Sequence, residues 1–241
     1  MQLLDFTCSS PAQNLAADEA LLEAAEAGRG GECLRFWESP EHFVVVGYGN
    51  RIETEVNLPA CRDAGVAVRR RISGGGTVLQ GPGCLNYALI LRINDAGPTR
   101  GIRATNEFVM GRNAAALSGL LGAAVRVEGD TDLALGGRKF SGNAQRRRRH
   151  FLLFHGTFLV SFDLPLLTRY LREPLRRPGY RAARRHSDFV MNLGVPPGRV
   201  KAALMAAWGA TVAEVPAALM AATAALADGK YSDPNWIGRP A

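Results

Sequence analysis

Three segments of this chain combine residue types that do chemistry together. The first is Arg69-Arg70-Arg71-Ile72-Ser73-Gly74-Gly75-Gly76-Thr77. Three consecutive glycines between apolar runs cost local stability, about 1 kcal/mol each against alanine in regular structure, and a hairpin turn needs only two. The pattern fits a wall without side chains, where a thin ligand lies against backbone N–H groups. The preceding arginines would draw in a carboxylate or phosphate. The second segment runs from Gly129 through Asp132 and Gly136-Gly137-Arg138-Lys139-Phe140-Ser141-Gly142-Asn143-Ala144-Gln145. A turn at Gly136-Gly137 would pair two strands and bring Asp132 and Lys139 to one site. Lysine is scarce here, with only Lys139, Lys201 and Lys230 among 29 basic residues. A compact ammonium between glycines and polar amides, where arginine is otherwise the rule, marks Lys139 as a functional cation. The third segment is His155-Gly156-Thr157 between apolar strands, whose histidine reads as a half-buried hydrogen-bonded group that can also touch a ligand. The runs Arg146 to Arg149 and Arg169 to Arg185 read as solvated loops.

Several chemistries lack their motifs. There is no GxxxxGK[ST], no glycine three residues after the triplet to complete a dinucleotide fingerprint, no HExxH and no GxSxG. The cysteines at 8, 33, 61 and 84 form no CxxC. That spacing argues against a zinc site or disulfide framework and for reduced thiols in a cytoplasmic protein.

The elements that must position these segments are short strands in consecutive groups, interrupted by helices. Ser10-Pro11-Ala12-Gln13 is a helix start, with Ser as N-cap, Pro in the first turn and Gln placed for a capping box. That helix should run to about Ala27, with a moderate apolar stripe. Strands are expected at Leu3–Phe6, Cys33–Glu38, Phe43–Val46, Val66–Ile72, Thr77–Gln80, Leu85–Leu91 and Val125–Glu128. Short ones follow at Leu133–Leu135 and Arg138–Phe140, then Phe151–Phe154 and Thr157–Ser161. Helices are expected at Pro59–Ala64, Thr99–Leu121, Leu164–Leu171, Arg199–Trp208 and Val215–Ala227. Grouped strands favour an α+β fold with a mixed, largely antiparallel sheet over a doubly wound parallel one.

Composition agrees with a folded globular chain: 241 residues, 47% hydrophobic and 21% charged. No apolar run reaches the roughly 18 residues a membrane helix needs, and no secretory signal is visible at the N-terminus. Net charge is +7. Residues 138–199 concentrate the basic groups against only Asp163, Glu173 and Asp188. Such a face attracts phosphates, nucleic acid or an acidic protein.

Taken in order, the segments Arg70-Arg71-Ile72-Ser73-Gly74-Gly75-Gly76, Asp132-Leu133 with Gly137 to Gln145, and His155-Gly156-Thr157 resemble the lipoate–protein ligase A family of the biotin and lipoate ligase superfamily. Tyr180-Arg181, Asp188 to Leu193 and Lys230-Tyr231 add to the likeness, which covers nearly the whole chain. The resemblance implies one α+β catalytic domain over residues 1–241, a mixed sheet flanked by helices, without the C-terminal accessory domain of longer ligases. It implies that lipoate and ATP, with Mg2+, give lipoyl-adenylate, and that the lipoyl group then passes to a lysine of a carrier domain. The carriers implied are 2-oxoacid dehydrogenase E2 subunits and the glycine cleavage H protein. A separate small accessory subunit is a further partner to test. By the same resemblance Gly74, Gly75 and Gly76 line the lipoyl and adenylate channel, and Arg71 binds near the phosphate. Lys139 holds carboxyl and phosphate oxygens, and Asp132 lies near magnesium. Ser73, Asn86, Ser141, Gly142, Ala144, His155, Gly156 and Thr157 complete the substrate- and ATP-binding set. Where many members of the family read His-Asp after the glycine-rich strand, this chain has Gln80-Gly81.

The nearest rival is an ATP-independent octanoyl or lipoyl transferase of the same superfamily, which needs a thiolate to hold an acyl-enzyme. Cys84 is the one cysteine near a motif, and its strand position equally suits an inert buried thiol. A nucleic-acid-binding module lacks interleaved aromatics and leaves the glycines and Lys139 without a role.

Overall fold

The computed structural model describes residues 1–173, 179–181 and 184–239. In chain order the elements are β1 (Gln2–Asp5), α1 (Pro11–Glu26), β2 (Cys33–Trp37), β3 (Phe43–Val46), α2 (Ile52–Glu55), α3 (Leu58–Asp63), β4 (Ala67–Arg70), β5 (Val78–Gln80) and β6 (Cys84–Arg92). Then come α4 (Ile102–Leu121), β7 (Val125–Glu128), β8 (Asp132–Leu135), β9 (Arg138–Arg147), β10 (Phe151–Leu159), α5 (Pro165–Tyr170), α6 (His186–Phe189), α7 (Pro197–Trp208), β11 (Thr211–Val212), α8 (Ala217–Leu226) and α9 (Pro234–Ile237).

Eight strands form one sheet in the order β11-β1-β2-β6-β10-β9-β8-β7, and three form a second, β4-β3-β5. The pairs β11–β1, β1–β2 and β3–β4 are parallel, and the remaining pairs are antiparallel. This is the mixed, largely antiparallel α+β architecture expected from the grouping of strands. Alternation along β6 and β10 sorts the core. Leu85, Tyr87, Leu89, Leu152, Phe154 and Phe158 face α4 and α7, packing against Val109, Leu117, Leu204 and Trp208. Ala88, Ile90 and Leu153 face the other way, toward Leu15, Leu22 and Leu219 of α1 and α8. A third cluster, including Val44, Val46, Ile52, Cys61, Cys84 and Tyr170, fills the space beside the small sheet.

The start of α1 follows its sequence signals: Ser10 Oγ accepts from Gln13 N at 3.3 Å and Pro11 opens the helix. Its stripe looks only moderate because polar residues face inward too. Asn14, Asp18 and Glu19 are all buried, and each has partners. Other expectations are corrected. The two strands expected at Phe151–Phe154 and Thr157–Ser161 are one, β10, whose register with β6 continues through Gly156. The short strand at Arg138–Phe140 runs on to Arg147, absorbing half of the expected arginine loop because β10 pairs with it. There Arg147 donates to Thr99 O at 2.7 Å and Arg148 pairs with Glu23. The helix expected from Thr99 begins at Ile102, Thr99 being occupied with Arg92 O at 2.9 Å. In the later arginine stretch, Arg181 is buried and pairs with Glu173 at 2.7 Å. Residues 174–178 and 182–183 lie outside the described set. Among the described residues no helix is long and apolar enough to cross a membrane.

Candidate active site

The glycine segment follows β4. Gly75 takes φ +84°, the left-handed region, and a Cβ there would lie 3.0 Å from Arg71 Nη2 and 3.5 Å from Ala144 Cβ. A Cβ on Gly74 or Gly76 would meet nothing within 4 Å. The triplet is therefore bare backbone on both sides of one left-handed residue. Arg71 holds its shape: Nη2 donates to Gly74 O at 2.6 Å and Gly76 O at 2.8 Å, and Nε to Ser73 Oγ at 3.0 Å. From the other side Asn50 Nδ2 donates to Gly75 O at 3.0 Å. One oxygen of Glu55 accepts from Asn50 Nδ2 at 2.7 Å, Thr77 N at 3.1 Å and the Thr77 hydroxyl.

The arginine expected near a phosphate is thus engaged by the loop's own carbonyls. Arg71 is only 8% exposed, and burial pulls its guanidinium down to about 10. Arg70 is buried as well and donates to the carbonyls of Gly47, Asn50 and Ile237 at 2.8, 2.8 and 2.9 Å. Buried carbonyls need donors, and these two side chains supply them.

The face of β6 and β10 that carries Asn86, His155 and Thr157 meets this loop. Ser73 Oγ lies 2.5 Å from His155 Nε2, and His155 Nδ1 lies 3.1 Å from Asp18 Oδ2. Gln80 Nε2 donates to Thr157 Oγ1 at 2.6 Å, which donates to Asn86 Oδ1 at 2.5 Å. Gln80, standing where the family pattern has histidine, makes the contact with Thr157, while its Oε1 is buried without a partner among the described residues.

The β8–β9 hairpin does what its glycine turn requires. Lys139 Nζ is 2.7 Å from Asp132 Oδ1, and the Tyr180 hydroxyl donates to Asp132 Oδ2 at 2.8 Å. Burial, then the Asp132 charge, push the Tyr180 phenol up, so it stays a donor. Gly142 leaves room for the ammonium, since its Cβ would lie 2.9 Å from Lys139 Nζ. Behind the strand, Lys139 O accepts from Met191 N at 2.8 Å.

Two expected site residues turn away. Ser141 Oγ accepts from Asn143 Nδ2 at 3.3 Å, in a half-buried network where Tyr87 OH donates to Asn143 Oδ1 at 2.6 Å and Asn143 Nδ2 to Thr131 O at 2.6 Å. A Cβ on Gly156 would overlap Asn143 Oδ1. Both residues therefore serve packing beneath the wall. Residues at the site that the sequence reading missed are Asp18, Asn50 and Glu55. The available signal was an acid pair, Asp18-Glu19, between the apolar runs Leu15–Ala17 and Ala20–Leu22 of α1.

Comparison with known proteins decides the family. The description "lipoyl protein ligase A/B catalytic domain" matches residues 10–195. The chain belongs to this family. A relative from Aeropyrum pernix is 35% identical over 176 residues, covering 73% of this chain and 63% of that protein. The lipoate-protein ligase A subunit 1 of Thermoplasma acidophilum is 31% identical over 179 residues, covering 71% of this chain and 67% of the relative. The octanoyltransferase LipM of Carboxydothermus hydrogenoformans is 29% identical over 196 residues, covering 71% and 69%. The match with these lipoyl ligase A/B relatives thus spans about two thirds of their lengths.

Among solved structures, one chain comes from the archaeal lipoylation system of Thermoplasma acidophilum, a bi-partite lipoate protein ligase and its E2 lipoyl domain. It superposes with TM-score 0.84 at 25% identity, covering 98% of this chain and 95% of its own. A lipoate-protein ligase A bound with ATP gives 0.81 at 26%, covering 98% and 97%. These neighbours of the lipoyl ligase A/B family share the mixed α+β fold.

Proposed function

We propose that the chain is an ATP-dependent lipoate–protein ligase. It activates lipoate to lipoyl-adenylate and transfers the lipoyl group to a lysine of a carrier domain. The observation that carries this reading is that the site offers an ammonium and no thiol. Lys139 stands beside Gly142, paired with Asp132, whereas all four cysteines are buried. Burial pushes the Cys84 thiol far up, and its Sγ lies 3.8 Å from Leu79 O. A thiol held protonated and enclosed is a poor acyl carrier. Kinship with proteins named octanoyltransferase keeps the transferase as the second reading.

In the first step a lipoate carboxylate oxygen attacks the α-phosphorus of ATP and pyrophosphate leaves. Two anions must meet, and a fixed ammonium stabilises the developing charge without reorganising water. Lys139 supplies that charge, held by Asp132 and Tyr180. The bare backbone of Gly74 to Gly76 lies along the ligand, with Ala144, His155 and Thr157 beside it. Burying the ligand's methylenes gains about 0.8 kcal/mol each. Arg71 acts here as the builder of the wall. In the second step the carrier lysine's amine attacks the acyl carbonyl, a C–N bond forms, the C–O bond to phosphate breaks and AMP leaves.

Magnesium would come with the nucleotide, neutralising phosphate charge. Both oxygens of Asp132 are engaged, and among the described residues no group of three His, Cys, Asp or Glu could hold a metal. No step is therefore assigned to a resident ion. Acidic carrier domains suit the basic 138–199 region. The bi-partite relative supports testing a separate accessory subunit.

Lipoate-dependent ATP–pyrophosphate exchange on the purified chain, with and without such a subunit, tests the reading. Exchange is expected. Acyl transfer from a thioester without ATP, through an adduct on Cys84 seen by intact mass, would replace it with the transferase.

A further inference from the structure

We propose that Asp18 is a positioning residue for the acyl-activating site, fixing the tautomer of His155 and through it the direction of the Ser73 hydroxyl. The inference rests on reading Ser73 to Gly76 as the wall of that site.

The hydrogen-bond inventory leaves one arrangement for a neutral imidazole. The Asp18 carboxylate only accepts. Its Oδ1 is filled by Arg35 Nη1 at 2.6 Å, and its Oδ2 faces His155 Nδ1 at 3.1 Å. Nδ1 must then carry the ring proton, and Nε2 is an acceptor. Ser73 Oγ, 2.5 Å away, is the donor to it. Arg71 Nε, which can only donate, fills a Ser73 lone pair at 3.0 Å. The hydroxyl is thus fixed from both sides. It ties the residue before three glycines, which have no side chains of their own to anchor, onto β10.

Asp18 is itself held rigidly. Arg35 Nη1 also donates to Asn14 O at 2.8 Å and Nη2 to Asn14 Oδ1 at 3.0 Å. Asn14 Nδ2 donates to Cys8 O at 3.1 Å. Asp18, Arg35 and Ser73 are 2%, 0% and 0% exposed. Apolar residues of similar volume would stabilise such a place as well or better. A buried ion pair that ends on one serine hydroxyl through a histidine therefore serves orientation. The same order of groups serves nucleophilic serines elsewhere. Here Ser73 is enclosed and engaged by Arg71, so the order acts on position.

The test uses the whole chain labelled with 15N-histidine, with long-range 1H–15N correlation of the His155 ring assigned by its loss in His155→Gln. The expected wild-type ring carries its proton on Nδ1. In Asp18→Asn the amide oxygen keeps Arg35 and the amide N–H faces Nδ1, so the proton moves to Nε2 and the Ser73 hydroxyl loses its acceptor. The kcat of pyrophosphate exchange should then fall by roughly tenfold or more, as for a wrong tautomer behind a reacting group. Asp18→Glu should restore the Nδ1–H ring and part of the rate.

If Asp18→Asn does not fold, Ser73→Ala gives the same reading from the other end. Nδ1 keeps its proton while the Nε2 resonance moves to that of an unbonded acceptor. A wild-type ring protonated on Nε2 overturns the proposal. So does a flipped ring in Asp18→Asn with kcat within about twofold of wild type, or an acyl adduct on Ser73 by intact mass. Absence of any exchange by wild type would instead defeat the ligase reading, and the ring spectra of wild type and Ser73→Ala would still decide the relay.

Discussion

Lys139 is partly exposed, at 28% of its side chain, and is held by one carboxylate rather than by packing. Replacing it with alanine should leave the thermal midpoint nearly unchanged and lower lipoate-dependent pyrophosphate exchange by about a hundredfold or more, the usual cost of losing a transition-state donor. Lys139→Arg should be nearly as poor, because a planar fork does not fit beside Gly142. Gly156 behaves in the opposite way. Its Cα faces Asn143, which is fixed by Tyr87 and Thr131. Gly156→Ala should therefore cost stability, roughly 1–3 kcal/mol as overpacking does, read as a lower urea midpoint before any effect on ligand affinity. Cys84→Ala should keep both half-reactions and lose about 1 kcal/mol from a small cavity. Retention of activity in Lys139→Ala would remove the ammonium from the mechanism.

At the scale of elements, the β8–β9 hairpin and the loop between β4 and β5 carry the site, and they differ in how far the sequence revealed them. The hairpin was legible because Gly136-Gly137 sits between apolar strands and the resulting register sets Asp132 near Lys139. The loop's supports were not. Glu55 lies on α2, an element of four residues with no periodicity to read, yet its carboxylate gathers Thr77 and Asn50 around the glycines. Glu55→Ala should raise the KM for lipoate several-fold, with kcat less affected, since it loosens a wall and removes no reacting group. Amide exchange at Gly74 to Thr77 should quicken in parallel. Unchanged protection there would show that Arg71 alone holds the turn. The long β9 was also missed: its second half is polar, and strand character comes from pairing with β10 rather than from its own pattern.

Across the whole molecule, the segment after α8 closes back on the site's supports. Lys230 Nζ and the Tyr231 hydroxyl meet buried Glu19 at 2.7 and 2.9 Å, and Trp236 Nε1 donates to Arg70 O at 3.0 Å. Removing one member of a buried charged group leaves the others uncompensated. Glu19→Ala should therefore destabilise the chain by about 2 kcal/mol or more, measured by urea unfolding, and a midpoint equal to wild type would make the closure incidental. The sequence by itself determined the fold class and the β8–β9 hairpin that sets Asp132 beside Lys139, and it singled out the glycine triplet and Lys139 as candidates for the roles proposed above. These depend on local spacing: a turn residue, an alternation and a rare residue type act over a few positions. Only the tertiary structure decided that Arg71 builds the loop rather than standing free for phosphate, that Ser141 faces away, and that Asp18 reaches Ser73 through His155. Arg71 and Ser141 find partners close by in the chain, but only once packing has turned them inward, and Asp18 finds His155 across 137 residues. A buried polar group must be paired by whatever the packing brings to it, and spacing along the chain does not specify that partner.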